Sequence, residues 1–558
     1  MWTTATLALY GVGVATLAGS LKRLRQRLNL SKAKHRSLAG HARIARRLAG
    51  FVPFYEYDET RFFCSDGAPA EIAARRRHGF ERLTGLYRTR FAETIRKTAQ
   101  AAESISDLRF TDAYRVPFQY RRYVSRHLPS AAFVEASNGV QISDLDGNHL
   151  YDLSGSYGVN LFGYEFYKAA IDRAAARMCD LGPVLGPYHP VIVENVEILK
   201  EISGLDEVSF HMSGTEAVMQ AVRLARYHTR RSHLVRFCGA YHGWWGDVQP
   251  GVGNPQPARE TYTLRDMSQE ALRVIASRRD IACVLVNPLQ ALHPNASSPS
   301  DSSLIDSTRR GHFDKNAYSA WLKELRRVCT ERNIVLIFDE VFVGFRLAIG
   351  GAQEYFGVRA DLVTYGKTLG GGLPVGAVCG RRDLMKRFRE NRPADICFAR
   401  GTFNSHPYVM AAMNEFLRYA QTPKARSLYR DLDRLMDDRA RTLNERLRRE
   451  MLPVAVANLS SIWTVCYAQP CRYNWMLQYY LRSEGLALSW IGTGRLIFSL
   501  DYTEDDFAAV TDRFVAAAMA MREDGWWWSA AALTDRLIKR TILREMLAHR
   551  LFTRSAAR

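Results

Sequence analysis

A lysine stands between a short apolar run and a row of glycines in DLVTYGKTLGGGLPVGA, residues 361–377. Two chemistries suit such a lysine. Gly-Lys-Thr is the tail of a phosphate-cradling nucleotide loop, and VLIFDE (335–340) has the look of its acidic partner strand. That loop opens on a glycine five residues before the one preceding the lysine. Asp361 occupies the position here, an acid where an anion should bind, and the acidic run precedes the loop instead of following it. The alternative is a lysine that forms a Schiff base with an aldehyde cofactor. Such an amine must be deprotonated to attack a carbonyl, and burial and neighbouring cations promote this.

The aldehyde cofactor of that kind is pyridoxal phosphate, an electron sink whose pyridine nitrogen must stay protonated beside a carboxylate. Asp339 ends the apolar run IVLIF, where a parallel sheet presents functional groups. The phosphate needs N–H donors at a helix start. Ser213, Gly214 and Thr215 supply a tight turn and hydroxyls between EVSFHM and the helix-like EAVMQAVRLARYH. Tyr241, in GAYHGWW, offers an aromatic face for the ring. His242 and Asp247 also form HxxxxD, a spacing found in membrane acyltransferases.

These residues need a scaffold. From about 166 to 415 the short apolar runs EVSFHMSG, HLVRFCGAY, IACVLVNP, IVLIFDEV and DLVTYGK alternate with helical stretches. This pattern predicts an α/β fold with a mostly parallel sheet covered on both faces. Residues 111–165, with alternating polarity around Asp146-Gly147-Asn148, predict antiparallel strands that begin a smaller unit. Residues 416–525 continue it as a C-terminal small domain. Residues 22–110 are basic and helical in period, a helical extension without evident chemistry.

From about residue 131 to 525 the chain resembles the class III pyridoxal-phosphate aminotransferases. It is most similar to the branch holding glutamate-1-semialdehyde aminomutase and the aminotransferase domains of polyketide synthases. SGTEA (213–217), GAYHG (239–243), FDEVFVGFR (338–346), GKTLGGGLPVGA (366–377) and GTFNSHP (401–407) carry the resemblance in the family's order. It implies the fold-type I architecture, a homodimer, and an enzyme moving an amino group from an amino donor to an aldehyde or ketone. Lys367 would be the Schiff-base lysine and proton carrier. Asp339 would pair with the pyridinium, Ser213, Gly214 and Thr215 would hold the phosphate, and Tyr241 would stack on the ring. Gln290 resembles the residue at the ring oxygen, and Thr402 the threonine that reaches the partner subunit's phosphate.

Two positions depart from the family. Asn287 replaces the usual glutamate of a Glu-Pro pair, and the arginine that binds a substrate carboxylate in many ω-aminotransferases has only Arg495 as a shifted candidate. Three functional readings follow: aminotransferase, intramolecular aminomutase of the glutamate-1-semialdehyde type, or a scaffold that kept the fold and lost the chemistry. Retention of both Lys367 and Asp339 speaks against the last.

The 558 residues carry a formal net charge of +20, concentrated at the ends: residues 1–50 hold ten Lys or Arg and no acid. With no zinc spacing or RNA-binding aromatic motif, this excludes a nucleic-acid groove and points to terminal contacts with an anionic surface. Nine cysteines without a CxxC pair predict a reducing compartment. Residues 2–21 are uncharged and basic residues follow at once, predicting a membrane-anchor helix, spanning or lying on the surface, with the catalytic domain on the cytoplasmic side. A cleaved signal peptide fits less well, because no basic residue precedes the run. The tail 526–558, with Trp526, Trp527 and Trp528 before a basic amphipathic helix, suits a membrane interface or a docked terminal helix. Those ends favour a lipid-like or carrier-bound acceptor.

Overall fold

The computed structural model describes residues 4–35, 41–249, 259–292, 313–488 and 494–556, together with residues 253, 256 and 311. Seven strands form the central sheet: β1 (Glu207–His211), β2 (His233–Phe237), β3 (Thr261–Leu264), β4 (Ile281–Val286), β5 (Val335–Asp339), β6 (Leu362–Gly366) and β7 (Gly376–Gly380). Their order is β1-β7-β6-β5-β4-β2-β3. All pairings are parallel except those of β7, which runs antiparallel to β1 and β6. The connection 367–375 is too short for the dozen or so residues that a parallel crossover needs, so β7 must turn back. That reversal puts Lys367 in the turn at the end of β6. The five apolar runs of the sequence became strands; the polar TYTL and the glycine-flanked GAVCG were not foreseen.

Every residue of β4, β5, β6 and β7 is buried, as expected for strands covered on both faces. One apolar core surrounds this sheet. A second core joins Phe62, Phe80 and Tyr87 of the N-terminal helices to Leu443, Trp463, Trp475 and Phe514 of the C-terminal part. The basic extension therefore contributes Phe62, Phe63, Phe80, Leu83, Tyr87 and Phe91 to the small domain's interior. Asp146 ties the two together, its carboxylate accepting from the amides of Glu93 at 2.7 Å and Thr94 at 2.9 Å.

The ends separate the alternatives left open by the sequence. A helix spans Thr4–Ala33, yet among the described residues no helix is long and apolar enough to cross a membrane. Glycines and threonines dilute the apolar half, and the charges from Lys22 onward end it. Trp526 and Trp527 lie in the second core instead of at a membrane interface. Trp526 Nε1 donates to Tyr480 Oη at 2.8 Å and Trp527 Nε1 to Asn474 Oδ1 at 3.0 Å, which satisfies their polar edges inside the protein.

The final helix, Asp535–Ala556, is clasped by a buried ion pair. Glu545 meets Arg472 at 3.2 Å and Arg61 at 2.7 Å and accepts from Tyr57 at 2.5 Å. Burial opposes ionisation of Glu545, but its hydrogen bond to Arg472 and that cation's charge prevail and pull its pKa from 4.5 to about 2. A carboxyl held below its unfolded value adds stability above pH 4.5 and loses it as pH falls toward 2. Glu545→Gln leaves Arg472 buried without its counter-ion and should lower stability by about 3 kcal/mol. Urea unfolding at pH 7 checks this, and the difference between variant and native protein should shrink as the pH drops below 4.

Candidate active site

β5 carries Asp339 to its C-terminal end, and β6 beside it carries Gly366 and then Lys367. Asp339 lies opposite Thr364 in the parallel register, so the two functional ends are adjacent by construction. Lys367 takes a left-handed backbone conformation (φ 46°), which turns the chain sharply as it leaves the sheet. Burial lowers its pKa first; Asp339 opposes this, while the charges of Arg346 and Arg495 reinforce it. The amine is thereby biased toward its neutral, nucleophilic form.

Asp339 is buried and anchored on both oxygens. Oδ2 lies 2.7 Å from His242 Nδ1, and Oδ1 accepts from the amide of Val341 at 3.2 Å. A carboxylate only accepts, so His242 Nδ1 carries the proton. Burial holds the imidazole pKa down against the pull of Asp339. His242 fixes the carboxylate's orientation without cancelling its charge. The HxxxxD reading fails here, because Asp247 pairs instead with Arg226 at 2.6 Å. The nucleotide-loop reading fails too: Asp361 is held by Arg326 and Arg381, each at 2.8 Å.

The helix Gly214–Thr229 starts immediately after β1, with Ser213 as its N-cap. Ser213 Oγ accepts from the amide of Glu216 at 3.2 Å, leaving the first-turn amides of Gly214 and Thr215 directed out of the helix end. That end lies against the lysine turn: a Cβ built on Gly366 would sit 3.6 Å from Gly214 Cα. Gly243 (φ +89°) makes room for Thr215, since a Cβ there would lie 2.5 Å from Thr215 Oγ1. Two loops that hold the predicted phosphate and ring contacts thus interlock.

Tyr241 is 58% exposed. Burial raises its pKa, and the Asp339 charge adds to the rise. Asn287, the departure from the family pattern, donates through Nδ2 to the Tyr241 carbonyl at 3.1 Å and so fastens this loop. Gln290 is buried and donates to the Cys238 carbonyl at 2.5 Å, while its Oε1 has no protein partner among the described residues. Thr402 is exposed on the chain's surface. Arg495 opens a strand of the small domain, opposite Thr464, and its charge reaches Lys367.

These residues fit pyridoxal phosphate. They combine a desolvated lysine, an anchored carboxylate, a glycine-lined helix end for an anion, and buried polar atoms without protein partners on His242 Nε2 and Gln290 Oε1. The sequence profile of the class III aminotransferases matches residues 123–518. The chain belongs to the class III aminotransferase family. A glutamate-1-semialdehyde 2,1-aminomutase of Acetivibrio thermocellus is 35% identical over 50% of this chain and 64% of its own length. One from Geotalea daltonii is 30% identical over 69% of this chain and 90% of its own length. A solved transaminase with pyridoxal phosphate bound shares the fold with a TM-score of 0.61 at 25% identity, covering 78% of this chain and 99% of that one. This class III aminotransferase is a pyridoxal-phosphate-dependent enzyme of fold type I.

Two residues of this class III site escaped sequence reasoning. His242 carries two sequence readings, the GAYHG motif and an HxxxxD pair with Asp247, and neither points to Asp339, 97 positions away. Arg346 is fully buried and donates to the carbonyls of Gly158 at 3.0 Å, Asn160 at 2.6 Å and Phe498 at 3.0 Å. It binds the two domains and places a cation near Lys367. Its place in FDEVFVGFR, an apolar run broken by one arginine, was the available signal.

Proposed function

We propose that this enzyme moves an amino group from an amine donor to an aldehyde or ketone that carries an anionic group, and that Arg495 holds that group. The observation behind this reading is the convergence of Arg495, from the small domain, upon Lys367. Bound pyridoxal phosphate supplies an electron sink for the pair left when a substrate C–H bond breaks. Lys367 Nζ takes that proton and returns it to a neighbouring atom. Asp339, oriented by His242, keeps the ring nitrogen protonated. The first-turn amides of Gly214 and Thr215 hold the phosphate, and Tyr241 covers the ring face. In the same reading the enzyme is a homodimer, with Thr402 serving the partner subunit's phosphate.

Intramolecular transfer on one substrate is a second reading, favoured by the aminomutase relatives. A lipid-like or carrier-bound acceptor loses part of its rationale, because the tail tryptophans are internal.

A half-reaction screen separates these cases. Donor amines are offered singly while cofactor absorbance is followed, and then keto acids, neutral aldehydes and glutamate-1-semialdehyde are offered to the aminated enzyme. Turnover of free donor–acceptor pairs supports transamination; turnover of the semialdehyde alone supports the mutase. Arg495→Ala should raise KM for an anionic acceptor about 10- to 100-fold, the loss of one charge-assisted contact, with cofactor loading unchanged. An unchanged KM removes Arg495 from substrate binding.

A further inference from the structure

The helix Thr4–Ala33 leaves four leucines outside the protein. Leu17, Leu21, Leu24 and Leu28 recur at spacings of four, three and four residues, and each is more than half exposed. At 100° per residue they form one narrow stripe. Arg25 and Arg27 border it on either side, with Lys22 and Arg23 farther round. The opposite face is the docked one: Leu30 and Ala33 pack on the main core, and the Ala33 carbonyl accepts from the amide of Arg265 at 2.8 Å.

The next helix, Ala42–Ala49, repeats the arrangement, and none of its residues is buried. Ile44 and Leu48 lie on one side and Arg46 on the other, with Arg43 and Arg47 between. Past its end, Val52 and Phe54 are also exposed, Phe54 by 71%. The segment is tied down immediately beyond them, where Tyr55 stacks on His549 at 4.8 Å. A cleft of about 370 Å³ where the two helices meet the body of the protein is lined by Ser31, Lys32, Lys34, His41, Arg265 and Glu270; Glu270 pairs with Arg265 at 2.8 Å, which leaves Lys32 and Lys34 as its cations without an acid in the lining. Burial and the nearby Arg43 both disfavour the charge on Lys34, so an anion entering the cleft would relieve it.

We propose that residues 17–35 and 41–54 form a docking surface for an anionic lipid bilayer, with the leucine stripe and Phe54 entering the headgroup layer and the flanking cations meeting lipid phosphates. Charge selects this occupant over a second copy of the chain. A parallel pair of Leu17–Leu28 stripes would set Arg27 of one helix, at a g position, against Lys32 of the other, at the following e position, where coiled coils carry complementary charges. Residues 1–55 contain no acid to relieve that repulsion. Phospholipid headgroups supply the opposite charge, and an amphipathic helix with cations beside its apolar face lies in the interface plane without crossing it.

The test uses the full-length enzyme in co-sedimentation with vesicles of phosphatidylcholine alone or mixed with phosphatidylglycerol. The mixed vesicles should bind at least about tenfold more tightly, as expected when several cations approach an anionic surface, and high salt should weaken that preference. Leu24→Ser with Leu28→Ser should abolish binding while the thermal midpoint and cofactor absorbance stay unchanged. No binding to mixed vesicles, or equal binding to both kinds, overturns the proposal. So does a dimer in light scattering that the leucine substitutions dissociate, since the stripe would then belong to a second copy.

Discussion

Replacing Lys367 with alanine should lower amino transfer by about 10⁴-fold or more, because one substitution removes both the covalent tether and the proton carrier. The fold should survive. Lys367 sits in the left-handed region, where alanine meets the same backbone demand as lysine, and the surrounding Thr368 and Leu369 supply the packing. The visible absorbance of the lysine-bound cofactor should disappear, while phosphate and ring contacts still allow reversible binding. Lys367→Arg separates charge from nucleophilicity. An arginine keeps a cation in place and cannot give up its proton, so it should be as inactive as the alanine variant. An arginine enzyme with substantial turnover would mean that Lys367 acts only as a charge.

Asp339→Asn should lower turnover about 10³-fold, the scale of losing one preorganised electrostatic contact to the reacting system. The amide oxygen still accepts from His242, so the loop geometry should persist and the stability change should stay within about 1 kcal/mol. The effect should fall on kcat, with cofactor retained through Lys367. This split distinguishes a charge requirement from a structural one. A wild-type kcat would mean that the ring nitrogen's protonation does not depend on Asp339. A thermal midpoint that drops together with kcat would assign the residue to packing.

Much of this site could be read in the sequence because it rests on backbone requirements that only certain residues meet. A glycine must follow Ser213, where a Cβ would sit 2.5 Å from Val341 Cγ1, and a carboxylate must end an apolar strand. Such local rules put Ser213, Gly214, Thr215, Asp339 and Lys367 in one place before any coordinates. The relations between distant segments were not legible in this way. His242 meets Asp339, and Arg495 and Arg346 act on Lys367, through packing that no local period encodes. The ends show the same limit: three consecutive tryptophans beside a basic helix read equally well as a membrane anchor or as core. Trp526 and Trp527 are core because Tyr480 and Asn474 await their indole N–H groups. Glu545, one acid among several cations in the tail, was the residue that committed the final helix to the protein's own surface. The strand Thr261–Leu264 was missed because its Thr-Tyr-Thr-Leu alternation lasts only four residues and lacks the apolar run of the inner strands, as suits a strand at the edge of the sheet.

The central claim is a covalent link between one lysine and one aldehyde beside one carboxylate. The direct test is borohydride reduction of the purified holoenzyme, followed by proteolysis and mass spectrometry of the peptides. The account predicts a single pyridoxyl-modified peptide, with the modification on Lys367. A modification on another lysine, or no stable modification in protein that retains its cofactor absorbance, would contradict it.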